Sequence, residues 1–196
     1  MIAIIDYDMG NLRSLENALS RLGADCKVTA DSQIITAAER VLLPGVGNAG
    51  VAMEKLRERG LDTLIPGLRQ PVLGICVGMQ VLCRESEEAP GCQCLGVFDS
   101  RVRRFSPAGG LKVPHMGWNQ LENMEGGLLK GLPPQPYVYY LHSYYASLCP
   151  DTAATTNYGD CTFSAVLRYE NFYGVQFHPE KSGQTGERIL SAFLML

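Results

Sequence analysis

The sequence has no cluster of basic residues and carries a formal net charge of only −3 at pH 7. Nucleic-acid-binding domains concentrate Lys and Arg on one face, so this balance argues against a nucleic-acid partner. No apolar run approaches the roughly 20 residues that a membrane-spanning helix needs, so we expect no membrane association. Residues 1–6 lack the basic segment and the long apolar run of a secretion signal. We therefore expect a cytoplasmic protein.

Cysteine and histidine pairs at the spacing of a zinc site are also lacking. Of the seven cysteines only Cys92 and Cys94 form a tight pair, and no second pair accompanies them. We therefore predict neither a metal centre nor a cofactor. An odd number of cysteines without a secretion signal indicates free thiols. We expect most of them to pack as small buried hydrophobic side chains and one to be chemically active.

The composition is that of a globular chain, with 46% hydrophobic and 19% charged residues in a length of 196. That length fits one domain, residues 1–196. In the first half, short apolar runs alternate with helical patterns, which indicates βαβ units and a parallel sheet. The apolar runs are residues 2–5, 26–29, 41–43 and 72–75. We predict an α/β fold of the flavodoxin-like kind, a mostly parallel sheet flanked by helices.

The second half of the sequence has a different pattern, because its β-like runs are separated only by Gly, Pro and Asn. This pattern predicts an antiparallel β extension on one side of the sheet. The runs are residues 95–98, 101–105, 138–141, 162–167 and 172–177, and a closing helix is expected over residues 185–196.

The sequence Gly74-Ile75-Cys76-Val77-Gly78 lies where a predicted strand turns into a predicted helix. Gly-x-nucleophile-x-Gly at such a turn is typical of a nucleophile elbow, here with sulfur as the nucleophile. The N–H groups that begin the helix favour a thiolate and point to where an oxyanion would form. A buried Cys in an ordinary glycine-rich turn is the alternative, and the motif alone does not decide between them.

A base for Cys76 has to come from three histidines, His115, His142 and His178. His178 is followed by a carboxylate two residues later, Glu180. In extended chain these two side chains project to the same side, and the intervening proline keeps His178 out of the α region. We favour His178 as the base and Glu180 as its orienting acid. A surface turn is the alternative. His142 is expected in the wall of the site, and His115 in a structural or interface position.

Several blocks of this sequence match one known family in order and spacing. On these blocks the chain resembles the class I (triad) glutamine amidotransferases over its whole length. More narrowly it resembles the glutaminase subunits of imidazole glycerol phosphate synthase. Val77 is one departure, because leucine is usual there. The broad match rests on Pro44-Gly45-Val46-Gly47, Gly74-Ile75-Cys76-Val77-Gly78-Met79-Gln80 and Phe177-His178-Pro179-Glu180. The narrower match rests on Gly78-Met79-Gln80, Pro114-His115-Met116-Gly117-Trp118-Asn119, Leu141-His142-Ser143-Tyr144 and His178-Pro179-Glu180-Lys181-Ser182-Gly183.

The resemblance implies hydrolysis of the side-chain amide of glutamine. Cys76 would attack the amide, and His178 would protonate the departing ammonia. The oxyanion would be held by the N–H of Val77 and by one from the Gly45-Val46-Gly47 turn. The family pattern also assigns glutamine binding to Gly47, Gln80, Glu88 and the backbone around Ser143. A solvated acidic stretch is the alternative for Glu88 and its neighbours Glu85 and Glu87.

The family also implies a partner protein. The chain has no room for a synthase domain, so ammonia must pass to a separate protein. In this family that protein is a (β/α)8-barrel cyclase subunit, which makes imidazole glycerol phosphate and a purine-pathway intermediate. Asn11, Trp118 and Lys181 lie in the matching blocks and are expected at the docking face, although a single Trp is as often buried in a core.

Three other functions remain open from the sequence. The first is the glutaminase subunit of pyridoxal phosphate synthase or anthranilate synthase, which shares the triad. The second is a stand-alone γ-glutamyl hydrolase, which would need no partner for full activity. The third is a non-enzymatic binding module with a degenerate site, which the presence of all three triad residues disfavours.

Overall fold

The computed structural model describes residues 1–107 and 110–196. Twelve strands are found in the described ranges, and six α-helices accompany them. The strands are β1 (Ile2–Ile5), β2 (Cys26–Thr29), β3 (Arg40–Gly45), β4 (Val72–Cys76), β5 (Glu85–Ser86), β6 (Arg101–Arg104), β7 (His115–Gln120), β8 (Tyr137–His142), β9 (Tyr144–Ala146), β10 (Thr152–Tyr158), β11 (Cys161–Tyr169) and β12 (Phe172–Val175). The helices are α1 (Leu12–Arg21), α2 (Ser32–Ala37), α3 (Ala49–Glu58), α4 (Leu61–Leu64), α5 (Val77–Leu82) and α6 (Gly183–Leu194).

Seven strands form the central sheet in the order β10-β11-β12-β4-β3-β1-β2. The strands from β2 across to β12 pair in parallel, and β10, β11 and β12 pair antiparallel. The predicted fold class is therefore confirmed, including the antiparallel extension on one side. In a parallel sheet the carboxyl ends of the strands share one edge, where α/β proteins bind ligands. The loops after β1, β3, β4 and β12 all meet at this edge.

Local sequence explains where the two long helices of the first half begin. The side-chain oxygen of Asn11 accepts from the N–H of Ser14 at 3.4 Å and caps α1. Asn48 caps α3 in the same way, accepting from the N–H of Gly50 at 2.8 Å. Strands β1, β3 and β4 are buried along nearly their whole length, as expected for central strands covered on both faces.

Strands β5 to β9 form two smaller sheets, with the orders β5-β6-β9 and β7-β8. The β-like run at residues 95–98 is not a strand, so that prediction is wrong. The N–H groups of Leu95, Val97 and Phe98 instead bond the carbonyls of Val81 and Leu82 in the last turn of α5. This run thus caps a helix end that would otherwise leave its carbonyls unpaired.

All seven cysteines are free, as predicted, but the expectation that most are buried is wrong. Cys76 and Cys83 are buried, whereas the other five are partly exposed. Among residues 1–107 and 110–196, no helix has both the length and the hydropathy to cross a membrane.

Candidate functional site

A cavity of about 280 Å³ opens at the carboxyl edge of the central sheet. Its walls come from the ends of β3, β4 and β8 and from the segment after β12. Nine residues singled out from the sequence line it: Val46, Gly47, Cys76, Val77, Gln80, Glu88, Ser143, His178 and Lys181. His142 also lines this cavity, as expected for a residue in the wall of the site.

Cys76 ends β4 and stands immediately before α5, with φ +54° and ψ −111°. This backbone is strained for a residue with a side chain, which is characteristic of nucleophile elbows. Close packing explains both flanking glycines. A Cβ on Gly78 would lie 1.8 Å from the carbonyl oxygen of Leu43, and one on Gly74 would lie 2.7 Å from the carbonyl oxygen of Gly78. The turn therefore has no space for side chains beside the sulfur.

His178 and Glu180 form a buried pair, with Nδ1 2.8 Å from Oε1. The backbone of His178 is extended, with φ −97° and ψ 99°, as the following proline predicts. Glu180, however, lies in a 3-10 turn, Pro179–Lys181, so the expected extended geometry of the pair is wrong. The backbone N–H of His178 is anchored on the carbonyl of Tyr139 at 2.9 Å. The short turn brings the carboxylate within hydrogen-bonding distance of Nδ1 of the imidazole ring.

The three histidines differ in pKa. Burial lowers the pKa of His178, but its hydrogen bonds and charge interactions with Cys76 and Glu180 outweigh burial and raise the pKa to about 10. Burial lowers the pKa of His115 to about 4. For His142, burial is again the largest cause, and the pKa is lowered to about 3. At neutral pH His178 is therefore the cationic one of the three histidines.

His142 and His115 form a directed chain of hydrogen bonds behind the cavity. His142 Nδ1 lies 2.8 Å from the carbonyl of Tyr144, which can only accept, so Nδ1 carries the proton. His142 Nε2 then accepts from Nδ1 of His115, 3.0 Å away. The other ring nitrogen of His115, Nε2, accepts from the side-chain nitrogen of Asn119 at 3.3 Å. Both rings are neutral and fully hydrogen-bonded, which excludes His142 as the rival base and gives His115 a structural position.

The residues proposed for the oxyanion hole lie against one another. Gly45 pairs with Cys76 in the sheet register. A Cβ on Gly45 would lie 2.7 Å from the N–H nitrogen of Gly78 and 3.0 Å from the Cβ of Val77. Gly47 has φ +87° and Val46 is 38% exposed, so the turn after β3 projects into the cavity. The first N–H groups of α5 have no acceptor inside the helix, because no turn precedes them.

Tyr7, two residues after β1, is a buried residue that contacts the end of β3 and was not singled out from the sequence. Its hydroxyl donates to the carbonyl of Pro44 at 2.7 Å and thereby holds the peptide that precedes Gly45. Burial, with a smaller effect of Cys76, keeps the pKa of Tyr7 far above its usual value, so it remains a hydrogen-bond donor.

Glu88 is the acidic residue of its stretch that faces the cavity. One carboxylate oxygen accepts from the N–H of Ala49 at 2.7 Å, at the start of α3. Burial raises the pKa of Glu88, and this hydrogen bond opposes the rise. Glu85 instead forms an ion pair with Arg101, and Glu87 accepts from the N–H of Arg104. The solvated alternative therefore fits Glu85 and Glu87, and Glu88 lines the cavity.

Gln80 is 2% exposed and lies one helical turn after Cys76. Its side-chain nitrogen donates to the carbonyl of Tyr144 at 2.8 Å and to Oε1 of Gln176 at 3.0 Å. Since both amide hydrogens are used, its side-chain oxygen is the atom left to meet a ligand. Ser143 joins β8 to β9, and its carbonyl accepts from the N–H of Phe105 at 3.0 Å.

The residues expected at a docking face lie near one side of the cavity. Trp118, on the β7-β8 ribbon, is 55% exposed, and Met116 on the same strand is 65% exposed. Trp118 is therefore a surface residue and not a core one. Lys181 lines the cavity mouth and lies 6.0 Å from the ring of Tyr139. Asn11 lies beside Glu180 in a small neighbouring cavity.

The model of the family described as glutamine amidotransferase class-I matches residues 3–196. The chain belongs to this family. Membership in the class-I glutamine amidotransferases makes it a glutamine-hydrolysing enzyme, and the cavity around Cys76 is the candidate site of that reaction.

Curated relatives match along almost their whole length. The imidazole glycerol phosphate synthase subunit HisH of Bacteroides thetaiotaomicron is 50% identical over 196 residues, covering 100% of this chain and 99% of the relative. The subunit of the same name from Escherichia coli strain K12 is 44% identical over 194 residues, covering 98% of each chain.

Solved structures share the fold at lower sequence identity. One described as a glutamine amidotransferase has a TM-score of 0.76 at 22% identity, covering 100% of this chain and 98% of its own. The PurLQS structure from Thermotoga maritima has a TM-score of 0.71 at 17% identity, covering 99% of this chain and 97% of its own.

Proposed function

We propose that this chain is the glutaminase subunit of an imidazole glycerol phosphate synthase and that it acts in histidine biosynthesis. The observation that carries the proposal is that Cys76 and His178 line one cavity of about 280 Å³ and that Glu180 lies 2.8 Å from the His178 ring. The two HisH subunits described above, 50% and 44% identical to this chain, support the pathway. We also propose that the chain forms one domain and acts in the cytoplasm. The shared seven-stranded sheet supports the single domain, because both halves of the chain contribute strands.

The proposed reaction begins with Cys76 Sγ attacking the side-chain carbonyl carbon of glutamine. The protonated His178 stabilises the sulfur as a thiolate, and Glu180 holds the imidazole in position. As the carbon becomes tetrahedral, the carbonyl oxygen acquires negative charge. The N–H of Val77 and one N–H from the Gly45–Val46–Gly47 turn would bind this oxyanion.

Collapse of the tetrahedral intermediate breaks the carbon–nitrogen bond. His178 gives its proton to the departing nitrogen, which leaves as ammonia, and a thioester remains on Cys76. His178 then accepts a proton from water, which attacks the thioester carbon and releases glutamate. When the carbon–sulfur bond breaks, Cys76 leaves as the thiolate beside the protonated His178, and the new carboxyl group loses its proton to water.

Glutamine binding is assigned to the remaining cavity residues. The free side-chain oxygen of Gln80 and the carboxylate of Glu88 are hydrogen-bond acceptors, which suits the α-ammonium group of the substrate. Gly47 and the backbone around Ser143 would hold the rest of the amino acid. Because one oxygen of Glu88 already caps α3, only its other oxygen is available for this purpose.

Ammonia released at this site needs a receiving enzyme, which we propose is a (β/α)8-barrel cyclase subunit. The relatives are named as subunits and match this chain along nearly their whole length, which supports a separate partner. Exposed aromatic and apolar side chains are favoured anchors of protein interfaces. Trp118, with Asn11 and Lys181 around the cavity, is the proposed docking surface.

The test is release of glutamate from glutamine by the purified chain, with and without the cyclase partner and its nucleotide ligand. We expect little activity alone and strong stimulation by the partner. Cys76→Ala should lower the stimulated rate by about 1,000-fold or more. Cys83→Ala is the matched control, since Cys83 is equally buried in the core but absent from the cavity. It should retain the activity.

Three results would contradict parts of this proposal. Stimulated glutamate release that survives Cys76→Ala would refute the assignment of the nucleophile. Full activity without any partner would favour a stand-alone hydrolase. Stimulation by an anthranilate or pyridoxal phosphate synthase partner, with none by the cyclase, would refute the pathway.

A further inference from the structure

Gln176 is a fully buried polar residue beside the reacting sulfur. It follows β12 directly, two residues before His178, and is 0% exposed. Its backbone N–H donates to the carbonyl of Ala165 at 2.9 Å, which fixes the position of the residue. Its side-chain nitrogen lies 3.8 Å from Cys76 Sγ, within hydrogen-bonding distance for sulfur. The sequence motifs of the triad do not include it.

The network around Gln176 determines which end of its amide faces the sulfur. The carbonyl of Tyr144 can only accept, so Gln80 must direct its nitrogen towards it. That same nitrogen faces the Gln176 side chain at 3.0 Å, which must therefore present its oxygen there. A reversed Gln176 would place two donors against each other at Gln80. The N–H group of Gln176 consequently points at Cys76.

Two groups beside Cys76 Sγ favour opposite protonation states of the sulfur. The carbonyl of Leu141 lies 3.9 Å from Cys76 Sγ and can accept only from a protonated thiol. The N–H of Gln176 donates and therefore favours the thiolate. A hydrogen bond to an ionised acceptor is about twice as strong as a neutral one, so donation to the thiolate outweighs the Leu141 contact. Hydrogen bonding to a charged form lowers the pKa of an acidic group.

We propose that Gln176 is a further catalytic residue, whose side-chain N–H stabilises the Cys76 thiolate alongside His178. The inference rests on the proposed function in one respect, that Cys76 is the nucleophile. Gln80 acts through Gln176 here as a positioning residue, since it accounts for the orientation of the amide.

The experiment measures the pH dependence of Cys76 alkylation by iodoacetamide, because only the thiolate reacts. Mass spectrometry of the Cys76 peptide separates this thiol from the other six. Gln176→Glu keeps the shape and the acceptor for Gln80 and, when ionised, puts a negatively charged oxygen in place of the donor. Gln176→Met removes the donor at similar length. We expect both to raise the midpoint by about one pH unit or more, and to slow alkylation below it about tenfold.

Gln70 provides the matched control. Its side-chain nitrogen donates to the carbonyl of Ile35 at 2.8 Å in a partly buried position, just before the amino end of β4, whereas Cys76 is at the carboxyl end. Gln70→Glu and Gln70→Met should leave the alkylation midpoint of Cys76 unchanged. A midpoint that moves equally in the Gln70 and Gln176 variants would show a general loss of packing and overturn the proposal.

A measurement on the unsubstituted protein covers the case in which the Gln176 variants do not fold. The side-chain ¹⁵N–H resonance of Gln176 should shift with the same midpoint as Cys76 alkylation, and this shift should vanish in Cys76→Ala. The inference would be refuted if the Gln176 resonance did not shift at the midpoint of Cys76 alkylation. An unchanged alkylation midpoint in folded Gln176 variants would also refute it. The proposed function is tested separately by partner-stimulated glutamate release, which Cys76→Ala should abolish whether or not Gln176 contributes.

Discussion

The buried pair His115 and His142 should make the protein lose stability steeply between pH 6 and pH 5. Both rings are neutral in the folded state, with pKa values lowered to about 4 and about 3, whereas an unfolded histidine has a pKa of about 6.5. The unfolded state therefore binds more protons in this window. The stability is fully present above pH 6.5 and is lost as the pH falls towards the folded-state values.

The size of the effect follows from the protons bound in each state. Going from pH 6 to pH 5, each unfolded histidine contributes a loss of about 1.2 kcal/mol, because it becomes almost fully protonated while the folded one does not. The pair together gives about 2.4 kcal/mol. His178 has the opposite shift, with a folded pKa of about 10. It is protonated throughout this window and offsets the loss by only about 0.1 kcal/mol.

The assay is urea unfolding at both pH values, comparing the wild type with His115→Asn. The variant should be less stable at neutral pH, because it breaks the hydrogen bond to His142, but its loss between pH 6 and pH 5 should be about 1.2 kcal/mol smaller. Tyr140→Phe is the matched control: it removes a buried hydrogen bond to Thr156 without a group that titrates here. It should keep the full pH dependence. An equal pH dependence in His115→Asn and wild type would refute this reasoning.

Two further predictions concern residues beside Cys76. In thermal or urea unfolding, Gly78→Ala should destabilise the protein by about 3 kcal/mol or more, because the added Cβ would meet the Leu43 carbonyl oxygen at 1.8 Å. The control is Gly67→Ala, whose added Cβ has nothing within 4 Å. It should change the free energy of unfolding by less than about 1 kcal/mol. NMR titration of the imidazole should give His178 a pKa of about 10, so that its contribution to stability is full below pH 6.5 and is lost as the pH rises through 10. In Cys76→Ala this pKa should fall, and an unchanged value would contradict the interaction with sulfur.

Local sequence was sufficient to predict those strands and helices whose structure depends on residues close together along the chain. The four predicted strands of the first half and the helices that follow β1, β3 and β4 were confirmed, because apolar periodicity and capping residues such as Asn11 and Asn48 act over a few residues. The short helices α2 and α4 were missed. In the second half, β7, β9 and β10 were missed. The strand β7 has little apolar alternation, exposes Met116 and Trp118, and is held by its pairing with β8. The run at residues 95–98 looked like a strand but serves as the cap of α5.

The sequence by itself determined the strained turn at Cys76 and the His178–Glu180 pair, since both are built from residues close together along the chain. The tertiary structure alone decided what else reaches the sulfur. Gln176 is separated from Cys76 by 100 residues, and the two meet because β12 pairs with β4 in a register that sets Val175 beside Ile75. Sheet register depends on the packing of the whole core, so no local sequence pattern predicts the contact between Gln176 and Cys76.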